Sequence, residues 1–152
     1  MLCQHIFKYT FDMNYRKYTN RSLQNLVSIP FIWLPLPFLI MLDIVGSVYQ
    51  EVCFPLYGLE KVKHSDYILI RDRAKLDYLT TVEKFNCMYC GYGNGVLLYL
   101  KEIAGRTEKY WCGIKHQNKP GFVARPDQIA ADYAEFGDEK DLKDKYGEHH
   151  GY

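Results

Sequence analysis

Cys87-x2-Cys90, followed after 21 residues by Cys112-x3-His116, sets three thiols and an imidazole in two close pairs, the ligand types and number that a tetrahedral metal centre uses. On a helix, separations of three and four residues place each pair on one face, so each pair can chelate. Zn2+ accepts such a Cys3His set with no vacant position, which would make the centre structural. Lys84, Arg106, Lys109 and Lys115 stand near enough in sequence to offset the negative charge of a tris-thiolate zinc site. Iron, alone or as a [2Fe–2S] cluster, is the alternative cofactor, with Tyr89, Tyr92, Tyr110 and Trp111 available to shield it. A third chemistry needs only Cys87 and Cys90, as a redox dithiol. Such pairs gain reactivity at a helix N-terminus, whereas the pattern here puts the pair near a helix C-terminus.

These ligands can meet only if the elements carrying them turn back. The stripe Leu76, Leu79, Val82 and Phe85 predicts a helix over 74–90, Gly91-Tyr92-Gly93-Asn94-Gly95 ends it, and Val96 to about Ala104 forms the next. A straight second helix running through Trp111 would leave Cys112 roughly 24 Å from the first pair, at 1.5 Å per residue. Gly105-Arg106-Thr107 offers the reversal, with glycine stopping one helix and threonine capping another. The expectation is a helical hairpin tied by the Cys3His centre. The three glycines read as a turn, because the G-x-G-x-x-G spacing fails at Val96.

Ahead of this region, Leu26 to Tyr49 contains a single charge, Asp43, and Ile29 to Leu42 is free of polar side chains. An uninterrupted apolar run of about 14 residues is short of the roughly 20 that a span requires, and Pro30, Pro35 and Pro37 remove helical hydrogen bonds. The pattern predicts a proline-broken apolar helix that dips into one leaflet and returns. Arg16, Lys17 and Arg21 before it and Lys61, Lys63, Arg71 and Arg73 after it favour the cytoplasmic side for both flanks. At the N-terminus, Phe7, Tyr9, Phe11, Met13 and Tyr15 alternate with polar residues as in a half-buried strand, and Tyr67-Ile68-Leu69-Ile70 is its candidate partner.

Bulk properties bound the reading. The 152 residues suit one core, fourteen tyrosines suit an interface, and five cysteines in irregular spacing argue against a disulfide framework. Residues 1–126 carry 16 Lys/Arg against 10 Asp/Glu and residues 127–152 carry 3 against 8, too dilute a positive charge for nucleic acid. The first 25 residues lack the apolar core of a signal peptide. Spacing supports no Ser-His-Asp or Cys-His catalytic set, so a non-enzymatic role is favoured.

The stretch Glu83-Lys84-Phe85-Asn86-Cys87-Met88-Tyr89-Cys90-Gly91-Tyr92-Gly93-Asn94-Gly95, with Glu102–Glu108 and Tyr110-Trp111-Cys112-Gly113-Ile114-Lys115-His116, resembles the core of a family of small uncharacterised proteins. The resemblance covers about residues 50–116, implies no activity, and places proline where this chain has Gly113.

Together these readings predict a mostly helical α+β protein: a strand segment over 1–22, an apolar membrane-associated helix over 23–58, a metal-binding helical domain over 59–126, and an acidic, partly disordered tail over 127–152. The expected role is scaffolding or interaction at a lipid surface or with a membrane-protein partner, on the cytoplasmic face. Redox work by iron or the dithiol is the alternative.

Overall fold

A computed structural model describes residues 22–123 and 132–147. Among these residues the fold is helical: α1 (Ser22–Trp33), α2 (Leu36–Tyr57), the single turn α3 (His64–Tyr67), a 3-10 turn (Arg73–Lys75), α4 (Thr81–Trp111) and α5 (Glu139–Tyr146). The α+β expectation is therefore corrected. Tyr67 ends α3, the following residues pair with no strand, and the one β feature described is an isolated parallel bridge between Ile114 and Ala134. The alternating segment Phe7–Tyr15, and with it the expected strand pair, lies outside the described residues.

The prolines interrupt the apolar stretch for two residues only. Leu34 N–H donates to Pro30 C=O at 3.0 Å and Leu39 N–H to Pro35 C=O at 2.9 Å, so helical bonding resumes on both sides of the turn. Leu26–Tyr57 is long and apolar enough to cross a membrane by length and composition, a test that membrane anchors and targeting signals both pass.

α4 opens with a capping box. Thr80 N–H and Oγ1–H donate to Glu83 Oε2 at 2.8 and 2.7 Å, while Glu83 N–H reaches back to Thr80 Oγ1. These bonds, the backbone one first, hold the Glu83 carboxyl below its ordinary range.

The glycines expected to end a helix lie inside α4. Glycine in a helix interior is disfavoured by about 1 kcal/mol relative to alanine, so something else must require it. A Cβ on Gly91 would stand 2.8 Å from Leu69 C=O, and one on Gly95 would stand 2.6 Å from Tyr67 C=O and 2.8 Å from Ile68 Cα. The two glycines, one turn apart, form a groove that seats the backbone of residues 67–70, and Ile68 and Val96 are buried there.

Contacts divide the chain into two compact units, one formed by residues up to Val45 with Lys63–Leu98, the other by Gly46–Val62 with Tyr99 onward. The core of the second unit is Phe54, Val62, Tyr99, Ile103, Tyr133 and Ala134. Its C-terminal part, expected to be mobile, carries α5. Gly113 has φ +60°, and a Cβ there would meet the Tyr146 ring at 2.6 Å, so proline, with φ near −65°, cannot adopt this turn. Lys115 N–H donates to Ala134 C=O at 2.9 Å and Ala134 N–H to Gly113 C=O at 2.8 Å. Asp141 accepts from Glu135 N–H at 2.8 Å and from Lys145 Nζ at 3.0 Å, which holds its carboxyl below the ordinary range, with the Glu135 amide as the main cause.

Gly95→Ala is expected to destabilise the chain by about 1–3 kcal/mol in chemical denaturation despite its better helix propensity. Gly93→Ala, whose Cβ would meet only the movable Leu39 Cδ1 at 3.3 Å, should stay within about 1 kcal/mol of the parent. Equal behaviour of the two variants would disprove the groove. Because the Asp141 pKa is lowered on folding, its stabilisation is present above the ordinary aspartate value of about 3.9 and is lost as pH falls through the folded value. Amide exchange at Lys115 and Ala134 should accelerate through that acid range, and Asp141→Asn should remove most of the step.

Candidate functional site

Cys87 is half-buried and Cys90 exposed in the first third of α4, Cys112 is exposed one residue beyond its end, and all three are free thiols. His116 is also exposed; its Nε2 lies 3.9 Å from Glu108 Oε1 and its ring meets Phe122 edge-on at 5.5 Å. The reversal at Gly105 that would bring these ligands together is absent, since α4 is continuous from Thr81 to Trp111. From Cys90 to Trp111 that helix covers about 32 Å at 1.5 Å per residue.

The reason lies in the residues expected to break it. Thr107 spends its hydroxyl on Ile103 C=O, 2.9 Å away in the preceding turn, and on Tyr49 Oη at 3.1 Å, so it caps nothing. Arg106 pairs with Glu102 one turn back at 2.9 Å and donates to Glu60 C=O at 2.6 Å. Tyr133 Oη donates to Gly105 C=O at 3.3 Å. Among the described residues no three His, Cys, Asp or Glu side chains are grouped to hold a metal ion. The helical hairpin expected to be tied by Cys87, Cys90, Cys112 and His116 is thus corrected, since one continuous helix stands where two were expected. Cys87 and Cys90 also lie beyond the first turn of α4, past the free amides of a helix start.

What the structure does assemble is a row of polar contacts along α2. In the first unit Asp43, with its side chain 14% exposed, is approached by His64 Nε2 at 3.0 and 3.3 Å and accepts from Tyr92 Oη at 3.0 Å. Tyr89 donates to Ile32 C=O, and its ring packs on Trp33 at 4.8 Å. In the second unit Ser47 Oγ lies 3.2 Å from Tyr99 Oη. Gln50, 4% exposed, accepts from Val62 N–H at 2.9 Å and donates to Val62 C=O at 3.2 Å and to Tyr99 Oη. Gln50 therefore satisfies both backbone groups of a residue that is itself buried.

The opposite face of α2 is apolar and bare. Ile44, Val45, Val48 and Val52 are 58–59% exposed and Leu56 77%. In α1 and the start of α2, Val27, Phe31, Leu34, Phe38 and Met41 are exposed as well. The helix is inside out relative to a water-soluble core helix. Sequence reasoning missed this arrangement, although the signal was present: Asp43, Ser47 and Gln50 recur at i, i+4 and i+7 in an otherwise apolar segment, and Tyr92 and Tyr99 lie seven apart.

No protein-family model, curated protein or solved structure matches this chain.

Gln50→Leu keeps the volume but strands the N–H and C=O of buried Val62 and the Tyr99 hydroxyl. It should destabilise the second unit by about 2–4 kcal/mol, seen as a lower denaturation midpoint. Tyr99→Phe, which leaves the Val62 pair bonded, should cost about 1 kcal/mol. A Gln50→Leu midpoint at the parent value would refute this account of the polar face.

Proposed function

We propose that this protein is held in a membrane by its Leu26–Tyr57 stretch and works there as an interaction or scaffolding protein, without catalytic machinery of its own. The observation that carries the reading is the reversed polarity of α2: Asp43, Ser47 and Gln50 turn inward to hydroxyl, imidazole and backbone partners, while Ile44, Val45, Val48, Val52 and Leu56 turn outward. Polar residues of membrane-embedded helices face the protein interior and apolar ones face lipid, because lipid offers a polar group no partner. Composition agrees. The 21 residues from Ser22 to Leu42 carry no charge that would oppose burial in a hydrocarbon layer.

The charges flanking the stretch support a cytoplasmic position for both sides, with Arg16, Lys17 and Arg21 before it and Lys61, Lys63, Arg71 and Arg73 after it. In that reading α5 and the segment it docks on are offered to a membrane-protein partner in the aqueous phase.

Washing membranes that contain the full chain with alkaline carbonate tests the reading. The protein should stay with the pellet, and Val48→Lys combined with Val52→Lys should shift it toward the soluble fraction. A Lys140→Glu control, altering an exposed position of α5, should leave the partition unchanged. Release of the parent chain by carbonate or high salt would overturn the proposal.

A further inference from the structure

We infer that Tyr57, Tyr110 and Trp111 form an aromatic anchor that seats the second unit in the phospholipid headgroup layer. The inference rests on the membrane reading and deepens it by fixing a depth. All three residues belong to the second unit. Tyr57 is the last residue of α2 and Trp111 the last of α4, and their rings meet where the helices finish. Tyr57 stacks on Tyr110 at 4.7 Å with the planes 19° apart, and Trp111 meets both edge-on, at 5.5 and 5.3 Å. These are favourable ring geometries, so the three side chains hold one another in place. They are not core, however: Tyr110 is 41% and Trp111 50% exposed. Just beyond them both chains leave the helical path, with Leu59 N–H closing on Phe54 C=O at 2.9 Å and Gly113 turning at φ +60°.

The surface around the rings decides their setting. In the same unit Val52 and Leu56 are 58% and 77% exposed, while Glu51 and Lys61 form an ion pair with side chains 61% and 44% exposed, and Lys109 beside Tyr110 is exposed as well. Bulk water disfavours the apolar members of this surface, and a hydrocarbon interior disfavours the ionic ones. The headgroup layer accepts both. Tyrosine and tryptophan concentrate at that level because each joins an apolar ring to a hydroxyl or N–H that stays wet. Lysines there lay an apolar stem along the boundary and keep the ammonium group among water and lipid phosphates. The bare residues Val48, Val52 and Leu56, at four-residue spacing, lead along α2 to the rings, so whatever covers that face reaches the cluster too.

The chain has two tryptophans, Trp33 and Trp111. In the full chain carrying Trp33→Phe, which keeps a ring against Tyr89, Trp111 becomes the sole reporter. Reconstituted in phosphatidylcholine vesicles, its fluorescence should be quenched about two- to threefold more by lipid brominated near the headgroup than by lipid brominated near the chain end. Subtracting the signal of a Trp111→Phe chain from that of the parent should give the same profile with Trp33 intact. Equal or stronger quenching by the deep label would overturn the inference. So would quenching by neither label in a chain that resists carbonate; the membrane reading would then stand, with the rings facing water, a soluble protein or, where emission varies with the protein-to-lipid ratio, a second copy. Release of the chain by carbonate would overturn both readings.

Discussion

Three polar side chains on one face of an apolar helix must find partners away from lipid or water, and much of the described packing answers that requirement. Asp43, Ser47 and Gln50 follow one another at helical spacing, so whatever lies against α2 must present donors and acceptors at matching heights. α4 meets the need with tyrosines, whose rings fill space while their hydroxyls reach across. Tyr92 serves Asp43 in the first unit, and Tyr99 serves Ser47 and Gln50 in the second. The remaining capacity is met by chain that follows α2, through His64 in one unit and the Val62 backbone in the other. An unmade bond at any of these places would cost about 1–3 kcal/mol, a large fraction of an ordinary domain's stability.

The same logic explains why α4 contains glycines that its propensity does not want. Chain returning from α2 passes close to α4, and its backbone lies where Gly91 and Gly95 would otherwise carry a Cβ. Tertiary packing overrides propensity here: the helix gives up about 1 kcal/mol per glycine and gains a backbone contact that no other residue admits. α4 accordingly runs on through the glycines. A turn at the glycines or at Gly105 would have let the ligands converge. The capping box at Thr80, the Arg106–Glu102 pair and the back-bonded Thr107 instead carry one helix through every candidate break.

What was legible in the chain was local. The apolar stretch, the proline interruption and a helix over the 80s are written in periodicity and hydropathy, and the structure places helices there. The cysteine spacing was legible as chemistry but not as geometry, because spacing along a chain decides convergence only when the path between is known, and that path turned on whether glycines stop a helix or admit a neighbour. Thr107 illustrates the difficulty: a hydroxyl that caps in one context bonds to its own preceding turn in another, and only contact with Tyr49 separates the two. α5 was hidden for a related reason. Its sequence is mostly charged, and it is held by Lys145 bridging Asp132, Asp141 and the Tyr133 carbonyl, a pattern that composition reads as a solvated tail.

The outward face of α1 and α2 is what the membrane proposal rests on. Phe31, Leu34, Phe38 and Met41, with Ile44, Val45, Val48, Val52 and Leu56, are each more than half exposed. Full burial of such a side chain is worth about 1.5–3 kcal/mol, so nine of them at roughly half exposure forgo about 10 kcal/mol in water, as much as the whole stability of a typical domain. A water-soluble helix of this composition would turn those residues in and Asp43, Ser47 and Gln50 out; here the inward positions are the ones with hydrogen-bonding partners on α4 and on the chain following α2. Turning α2 over would strand the buried Val62 amide and carbonyl, so the fold cannot relieve its apolar face by rotation. Its polar interior and its bare exterior are two consequences of one phase of one helix, and the proposed membrane setting is one in which both are favourable.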